Sequence, residues 1–233
     1  MSYDDIYHKP RKNVQRFCFD KEVVNVFDNM ITRSVPGYQT IVQMISMMAE
    51  KYTQQNTCIY DLGCSLGTVS DAIRSKFDAP IIAVDSSLEM IECAKKNLSS
   101  YDNIEILCGD VCDIDITNAS VIVMNFTMQF IPRQKREKLL RKIYNGLVPN
   151  GILILSEKIQ ENTNLLIDLH LNFKQDQGYS LLEIEQKKQA LQNVMVIDSV
   201  EQHQQRLQKV GFCFNQLWFQ CFNFVSFFSQ KCK

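Results

Sequence analysis

Five short apolar runs set the limits on what this chain can become. Residues 58–62 (CIYDL), 81–84 (IIAV), 104–108 (IEILC), 121–125 (VIVMN) and 152–156 (ILILS) are β-branched and almost unbroken by polar groups. A strand with one face in water alternates; a strand covered on both faces does not, so these runs predict a parallel sheet with helices on either side. Helical periodicity between several of them supplies the cover. The segment 87–99 opens with Ser86 and Glu89 in capping-box register. The segment 132–147 opens with proline, sets Leu139, Leu140, Ile143 and Leu147 on one face, and stops at the turn Pro149-Asn150-Gly151. Strands alternating with helices give an α/β fold, a doubly wound Rossmann-like sheet.

The flanks extend this unit. Behind Asp20, a candidate N-cap, Val23, Val24, Phe27, Met30 and Ile31 recur at helical spacing. After SVPGY, Ile41, Val42, Ile45, Met48 and Ala49 form a second stripe. The chain therefore reads as a single domain over 1–233, with an N-terminal helical extension at 1–55 and a helical insert at 162–193. The insert carries Leu165, Leu166, Leu169 and Phe173, then Leu181, Leu182 and Ile184. That stripe packs on its own domain or covers a subunit contact. The aromatic-rich runs 212–219 and 222–228 read as a terminal antiparallel strand pair.

Composition narrows the functional classes. Lys+Arg 25 against Asp+Glu 26 leaves a net charge of −1, whereas a protein gripping a long nucleic acid must neutralise several phosphates. The basic run 133–142 (RQKREKLLRK) has apolar partners at helical spacing and reads as a solvated outer helix face. None of the nine cysteines stands in a C-x-x-C pair and there are three histidines, so the expectation is buried free thiols, no disulfide framework and no metal site. With no apolar leader and no run of spanning length, the chain reads as soluble, cytoplasmic and without a membrane partner.

The most informative stretch is Ile59-Tyr60-Asp61-Leu62-Gly63-Cys64-Ser65-Leu66-Gly67. It joins a strand to a helix, where doubly wound sheets hold nucleotides. Gly63 and Gly67 admit close backbone approach. The next strand ends at Asp85, at the interval where an acid meets a ribose. A third strand leads into Cys108-Gly109-Asp110, and a fourth ends at Asn125, beside the far end of such a ligand or as a polar strand cap. The G-x-x-x-G spacing lacks a complete pyrophosphate cradle and there is no phosphate loop. An adenosine ligand without phosphates, S-adenosyl-L-methionine, fits this set. Tyr38, after Pro36-Gly37, either sets its ring near the sulfonium or packs a helix entry.

The strings RSVPGY, YDLGCSLG, NFTMQF, LSEK, GYS-x-LEI, QNVM with DSVE, and LWFQCFNF resemble those of the carboxy-S-adenosyl-L-methionine synthases over about residues 19–224. The resemblance implies a class I methyltransferase-like sheet that converts S-adenosyl-L-methionine and prephenate to carboxy-S-adenosyl-L-methionine and phenylpyruvate. The product supplies a separate enzyme that modifies the wobble uridine of tRNA, so direct tRNA binding is not expected, and members are homodimers. Carried over, Tyr38, Gly63, Cys64, Ser65, Asp85, Ser86, Asp110, Val111 and Asn125 fall on ligand-binding positions. Lys188 stands where the family has an arginine holding the new carboxylate; a flexible point charge replaces a planar fork. Without the resemblance, Lys187 and Lys188 read as solvated helix charges.

The implied chemistry asks for little acid–base apparatus. Prephenate gains an aromatic ring as it loses a carboxylate and hydroxide. The hydroxide takes a proton from the sulfonium methyl, and that carbon captures carbon dioxide. The protein must align two ligands, exclude water and present cations to carboxylates. Lys188 and Arg33 are the candidate catalytic cations, with His203 and Arg206 behind them; Arg33 reads equally as a structural cap. No histidine falls at a predicted strand end. Trp218, Phe219 and Phe222 read as core of the last strand pair. The alternatives are a conventional methyltransferase acting on a small molecule or tRNA, and a silent S-adenosylmethionine-binding module.

Overall fold

The computed structural model describes residues 2–160 and 163–232. The first residue assigned to the insert, Asn162, lies outside them. Two helices come first, α1 (Lys21–Ser34) and α2 (Tyr38–Tyr52), followed by β1 (Cys58–Leu62), α3 (Thr68–Arg74), β2 (Ile81–Asp85), α4 (Leu88–Asn97), β3 (Ile104–Cys108) and β4 (Ala119–Asn125). A 3₁₀ turn (Met128–Phe130) leads to α5 (Arg133–Gly146) and the long β5 (Leu147–Lys158). The chain closes with α6 (Asn164–Asp176), α7 (Leu181–Leu191), α8 (Val200–Val210), β6 (Phe214–Cys221) and β7 (Phe224–Gln230).

The seven strands form one sheet in the order β3-β2-β1-β4-β5-β7-β6. The first five are parallel, and β7 enters antiparallel between β5 and β6. The unbroken apolar runs follow from burial on both faces. Along β4, Val121 and Val123 face α2 and α3, packing with Ile41, Ile45 and Ile73. The alternate residues Ile122 and Met124 face α5 and α8, packing with Leu139, Ile143 and Leu207. Strand period 2 thus feeds two cores from one run.

Several expectations change in detail. The cap of α4 is Ser87, not Ser86: its hydroxyl accepts from Met90 N at 3.1 Å. Asp85 Oδ1 takes Ser87 N at 2.9 Å, which starts the helix one residue later. β5 begins directly at Leu147, and Asn150 with φ 62 lies within it, so the Pro-Asn-Gly turn is an irregularity in a strand. The run 133–142 is not a wholly solvated face. Arg136 is fully buried, bonded to Asp198 at 2.5 Å, and Lys142 donates to Ile114 O at 2.8 Å. Nor are all cysteines free: Cys213 and Cys232 form a disulfide. Cys213 N donates to Gln230 O at 3.1 Å, which brings the two cysteines to one end of the β6–β7 pair. Cys18 and Cys108 are exposed rather than buried.

The N-terminal extension and the insert clasp one another. Residues before α1 are not helical; Arg11 N donates to Gln186 Oε1 at 2.7 Å and Phe17 N to Ala190 O at 3.0 Å. Asp4, buried, takes Lys187 Nζ at 3.5 Å. Two segments far apart in sequence therefore fix α7 over the sheet's carboxyl edge. Among the described residues no helix is long and apolar enough to cross a membrane.

Candidate functional site

The carboxyl ends of the central strands open on a cavity of about 1260 Å³. β1 lies between β2 and β4, and the chain leaves it in opposite directions, which makes the crevice where open α/β sheets take ligands. The turn after β1 is built for close approach. Gly63 has φ +85, and a Cβ there would lie 2.2 Å from Thr127 Oγ1. Gly63 N and Cys64 N both donate to Val84 O, at 2.7 and 2.9 Å. Ser65, at φ 50, donates its N–H to Asp85 Oδ2 at 2.9 Å. Asp85 thereby ties the glycine turn to the start of α4 and leaves Ser86 exposed on the cavity lip.

The turn after β4 is strained in the same place. Phe126 is buried at φ 62, a left-handed conformation costing a bulky residue about 1–2 kcal/mol. Its N–H donates to Ser156 O at 2.8 Å, and Met128 N to Glu157 Oε1 at 2.8 Å, so neighbouring β5 holds the turn. Asn125, one residue earlier, lines the cavity with a buried Oδ1 that has no hydrogen-bond partner among the described residues. A buried acceptor left unmet costs about 1–3 kcal/mol, so this atom fits a donor brought by a ligand.

Of the sequence-derived positions, Tyr38, Gly63, Cys64, Ser65, Asp85, Ser86, Asp110, Val111, Asn125 and Lys188 all line this one cavity. Burial raises Asp85 above the ordinary carboxylate range and, with Asp61 and Asp85 nearby, keeps the Cys64 thiol neutral. Burial likewise holds the Tyr38 hydroxyl neutral. Asp110 is exposed, accepting Cys112 N at 2.8 Å and lying 3.8 Å from Lys135 Nζ. Lys188 reaches solvent, its side chain 77% exposed, with Glu185 at 3.8 Å.

Arg33 does not join them. Its guanidinium donates to Gln177 O at 2.8 Å, Asp4 O at 3.2 Å, Asn29 Oδ1 at 3.3 Å and Tyr3 OH at 2.6 Å. It is sandwiched between Tyr3 and Tyr179, 4.1 and 3.9 Å from their ring centres. Buried and almost fully bonded, it fastens the N-terminal segment to the insert and does not line the cavity. His203 and Arg206 are also elsewhere. His203 is buried against Phe227, pushed down to about 4 by burial first and then by Arg206, and Arg206 donates to Asp198 at 2.7 Å. Trp218 and Phe219, expected as core of the last strand pair, are half-buried against the α2–α3 core, and Phe222 lies in the β6–β7 turn at φ 50 with its ring 6.5 Å from Phe173.

Among the lining residues that the sequence did not single out as site residues are Asp61, Lys158, His170, Lys174 and Lys187. Asp61 could have been found, because a carboxylate inside an apolar strand run is out of place. It is buried, receives Ser70 Oγ at 2.7 Å, and is pushed up to about 6 by desolvation. The others come from the end of β5 and from the insert, whose approach to the sheet carries no local signal. His170 lies at no strand end, in keeping with the sequence, yet it lines the cavity from α6. The cavity thus has Asp61, Asp85 and Asp110, with Lys135 beside Asp110, on the β1–β3 side, and Lys158, Lys174, Lys187 and Lys188, which outnumber Asp168 and Glu185, on the β5–α7 side. Such a division suits a cationic ligand beside an anionic one. Among the described residues no group of three or more His, Cys, Asp or Glu side chains is placed to hold a metal ion.

Residues 59–151 match a methyltransferase domain family. Over 98% of its length the chain is 49% identical to the carboxy-S-adenosyl-L-methionine synthase of Psychromonas ingrahamii, covering 98% of that protein. It is 50% identical to the synthase of Aeromonas salmonicida, covering 98% of this chain and 96% of the relative. Among solved structures it resembles a putative S-adenosyl-L-methionine-dependent methyltransferase of Methanococcus maripaludis, with TM-score 0.65 and 22% identity over 97% and 98% of the two chains. Human N-acetylserotonin methyltransferase in complex with SAM is similar in fold, with TM-score 0.64 and 15% identity over 91% of this chain and 55% of the other.

Proposed function

The chain belongs to the carboxy-S-adenosyl-L-methionine synthases, transferases built on the methyltransferase sheet, and from that premise we propose its second substrate, its residue roles and its setting. Prephenate gives up its ring carboxylate to the methyl carbon of S-adenosyl-L-methionine, leaving phenylpyruvate. Atoms balance when the hydroxide expelled from prephenate combines with the methyl proton as water. The observation that carries this reading is the division of one cavity into an acidic and a lysine-rich half.

The acidic half takes the substrate cation. Asp85 accepts the ribose hydroxyls with the lone pairs left over from its two backbone partners. The turn over Gly63, Cys64 and Ser65 lies against the adenosyl group. Asp110, Val111 and Ser86 flank the adenine, and Asn125 Oδ1 accepts from the amino-acid end. Tyr38, with Phe126 at 6.4 Å between ring centres, sets aromatic faces beside the sulfonium. Lys188 holds the new carboxylate. No side chain is needed as a general base, and Cys64, held protonated, is no nucleophile. The protein's contribution is alignment, desolvation and charge.

The enzyme acts in the cytoplasm as a homodimer, with the exposed leucines of α6 and α7 in support. Its product serves a separate enzyme that modifies the wobble uridine of tRNA, and this chain does not bind tRNA itself. Incubation with S-adenosyl-L-methionine and prephenate yields phenylpyruvate and a cofactor heavier by one carbon dioxide. Untouched prephenate, or S-adenosylhomocysteine formed with an acceptor, overturns the reading.

A further inference from the structure

Lysines rarely leave water without an anion to meet. Yet β5 ends by placing Lys158 half-buried at the cavity wall, its Nζ 5.7 Å from the centre of the Phe224 ring. Helix α6 reaches the same ring, with His170 4.9 Å away, ring to ring. His170 Nε2 donates to Ser34 O at 2.9 Å, and Lys187 Nζ donates to Ser34 Oγ at 2.9 Å. Lys174, one helical turn beyond His170, lines the same lobe and is half-buried too. Lys187 already has Asp4 at 3.5 Å. Among the described residues Lys158 and Lys174 make no ion pair, although both line the cavity.

The lobe is continuous with the cofactor half. Phe224 lies 5.9 Å from Phe126, which lies 6.4 Å from Tyr38. An aromatic wall therefore runs from the proposed sulfonium site to Lys158 and Lys174. We infer that Lys158 and Lys174 form a carboxylate subsite for the carboxyl donor, gripping the carboxylate that is not transferred while Phe224 and Phe126 face its ring. The ligand class is a dianion with a six-membered ring and two separated carboxylates. Lys188, out in solvent, serves the transferred carboxylate. This division rests on the reaction proposed above. It predicts selectivity, because a ring monocarboxylate that lacks the side-chain carboxylate leaves both desolvated lysines without a partner.

The charges around the lobe agree. From β5 there is Lys158; from α6, His170, Lys174 and the exposed Asp168; from α7, Lys187, Lys188 and Glu185; and from the N-terminal segment, Asp4. Burial first, then repulsion from Lys188, lowers Lys158 to about 8. Burial, Lys158, Lys187 and Lys188 lower Lys174 to about 7. Burial first, then Lys174, Lys158 and Lys187, take His170 down to about 3, so it stays neutral. A dianion favours the charged form of both lysines, and its binding near neutral pH takes up protons, chiefly at Lys174.

The test uses the full chain saturated with S-adenosyl-L-methionine. Calorimetric titration with homoterephthalate, an unreactive ring dicarboxylate, is set against 4-ethylbenzoate, and repeated in buffers of different ionisation enthalpy. Wild type binds the dicarboxylate at least tenfold more tightly, with net proton uptake. Lys158→Met and Lys174→Met each lose about tenfold or more of that affinity and raise the prephenate KM correspondingly. Their kcat stays within a few fold and their S-adenosyl-L-methionine affinity is unchanged. Because each variant removes a desolvated charge, its melting temperature holds or rises, whereas a merely structural lysine would lower it. Lys158→Arg, which keeps the charge, recovers part of the affinity. Dicarboxylate affinity unaffected by both methionine variants, or lost together with S-adenosyl-L-methionine affinity, overturns the subsite. A wild type that binds homoterephthalate selectively but leaves prephenate unchanged overturns the reaction and spares the subsite.

Discussion

At the residue scale, two positions show how this site is held. Gly63 combines a left-handed backbone with no room for a side chain, since its Cβ would meet Thr127 on the opposite strand turn. Gly63→Ala should cost about 1–3 kcal/mol in urea unfolding and weaken S-adenosyl-L-methionine binding, because the two turns that wall the cavity would be forced apart. Lys188 is the converse case, an exposed side chain with a weak neighbour in Glu185. Lys188→Ala should weaken the carboxylated product by about tenfold while leaving S-adenosyl-L-methionine nearly unchanged, and Lys188→Arg should restore or improve product affinity. Equal loss of both ligands in the alanine variant, measured by calorimetry, would remove the carboxylate role.

The elements are tied by a buried ionic knot. Asp198 accepts from Arg133 at 2.7 Å, Arg136 at 2.5 Å and Arg206 at 2.7 Å, joining α5 and α8 through the segment that leaves the insert. Arg136 also donates to Ile131 O at 2.9 Å, beside the 3₁₀ turn that follows Asn125. Asp198→Asn leaves Arg136 buried without its counter-charge and should cost about 3–5 kcal/mol. Burial pushes the Asp198 carboxyl up, but the hydrogen bond from Arg206 and the charge of Arg136 outweigh it and hold it below the ordinary carboxylate range. A depressed carboxylate stabilises the fold above its unfolded pKa of about 3.9 and loses that contribution as pH falls toward the native value. The wild type should therefore lose stability over that acid interval, and the asparagine variant should lose less, in unfolding measured across pH.

At the scale of the whole molecule, the insert does two things. Its inner residues close the cavity, and its outer ones leave Leu165 64% and Leu181 62% exposed. Exposed leucines clustered on two adjacent helices suit a second copy of the chain. Leu165→Glu, which adds an acid in the first turn of α6 where the helix dipole welcomes it, should turn a dimer into a monomer in sedimentation equilibrium with little change in melting temperature. A wild type that sediments as a monomer would remove this face as the dimer contact.

The amino-acid sequence alone determined the sheet, because burial on both faces writes itself into uninterrupted apolar runs, and it pointed to the strand-end residues that line the cavity, because a glycine turn and an acid at the next strand end are local signals. Tyr38, Gly63, Asp85 and Asn125 needed no tertiary knowledge to be grouped. Only the folded chain decided which cations face the cavity. Arg33 went to the clasp between Tyr3 and Tyr179, while Lys158, His170 and Lys174 entered through the end of one strand and one helix of the insert. A charged residue's destination depends on which distant segments meet around it, as Asp4 meets Lys187, and no spacing along the chain encodes that meeting.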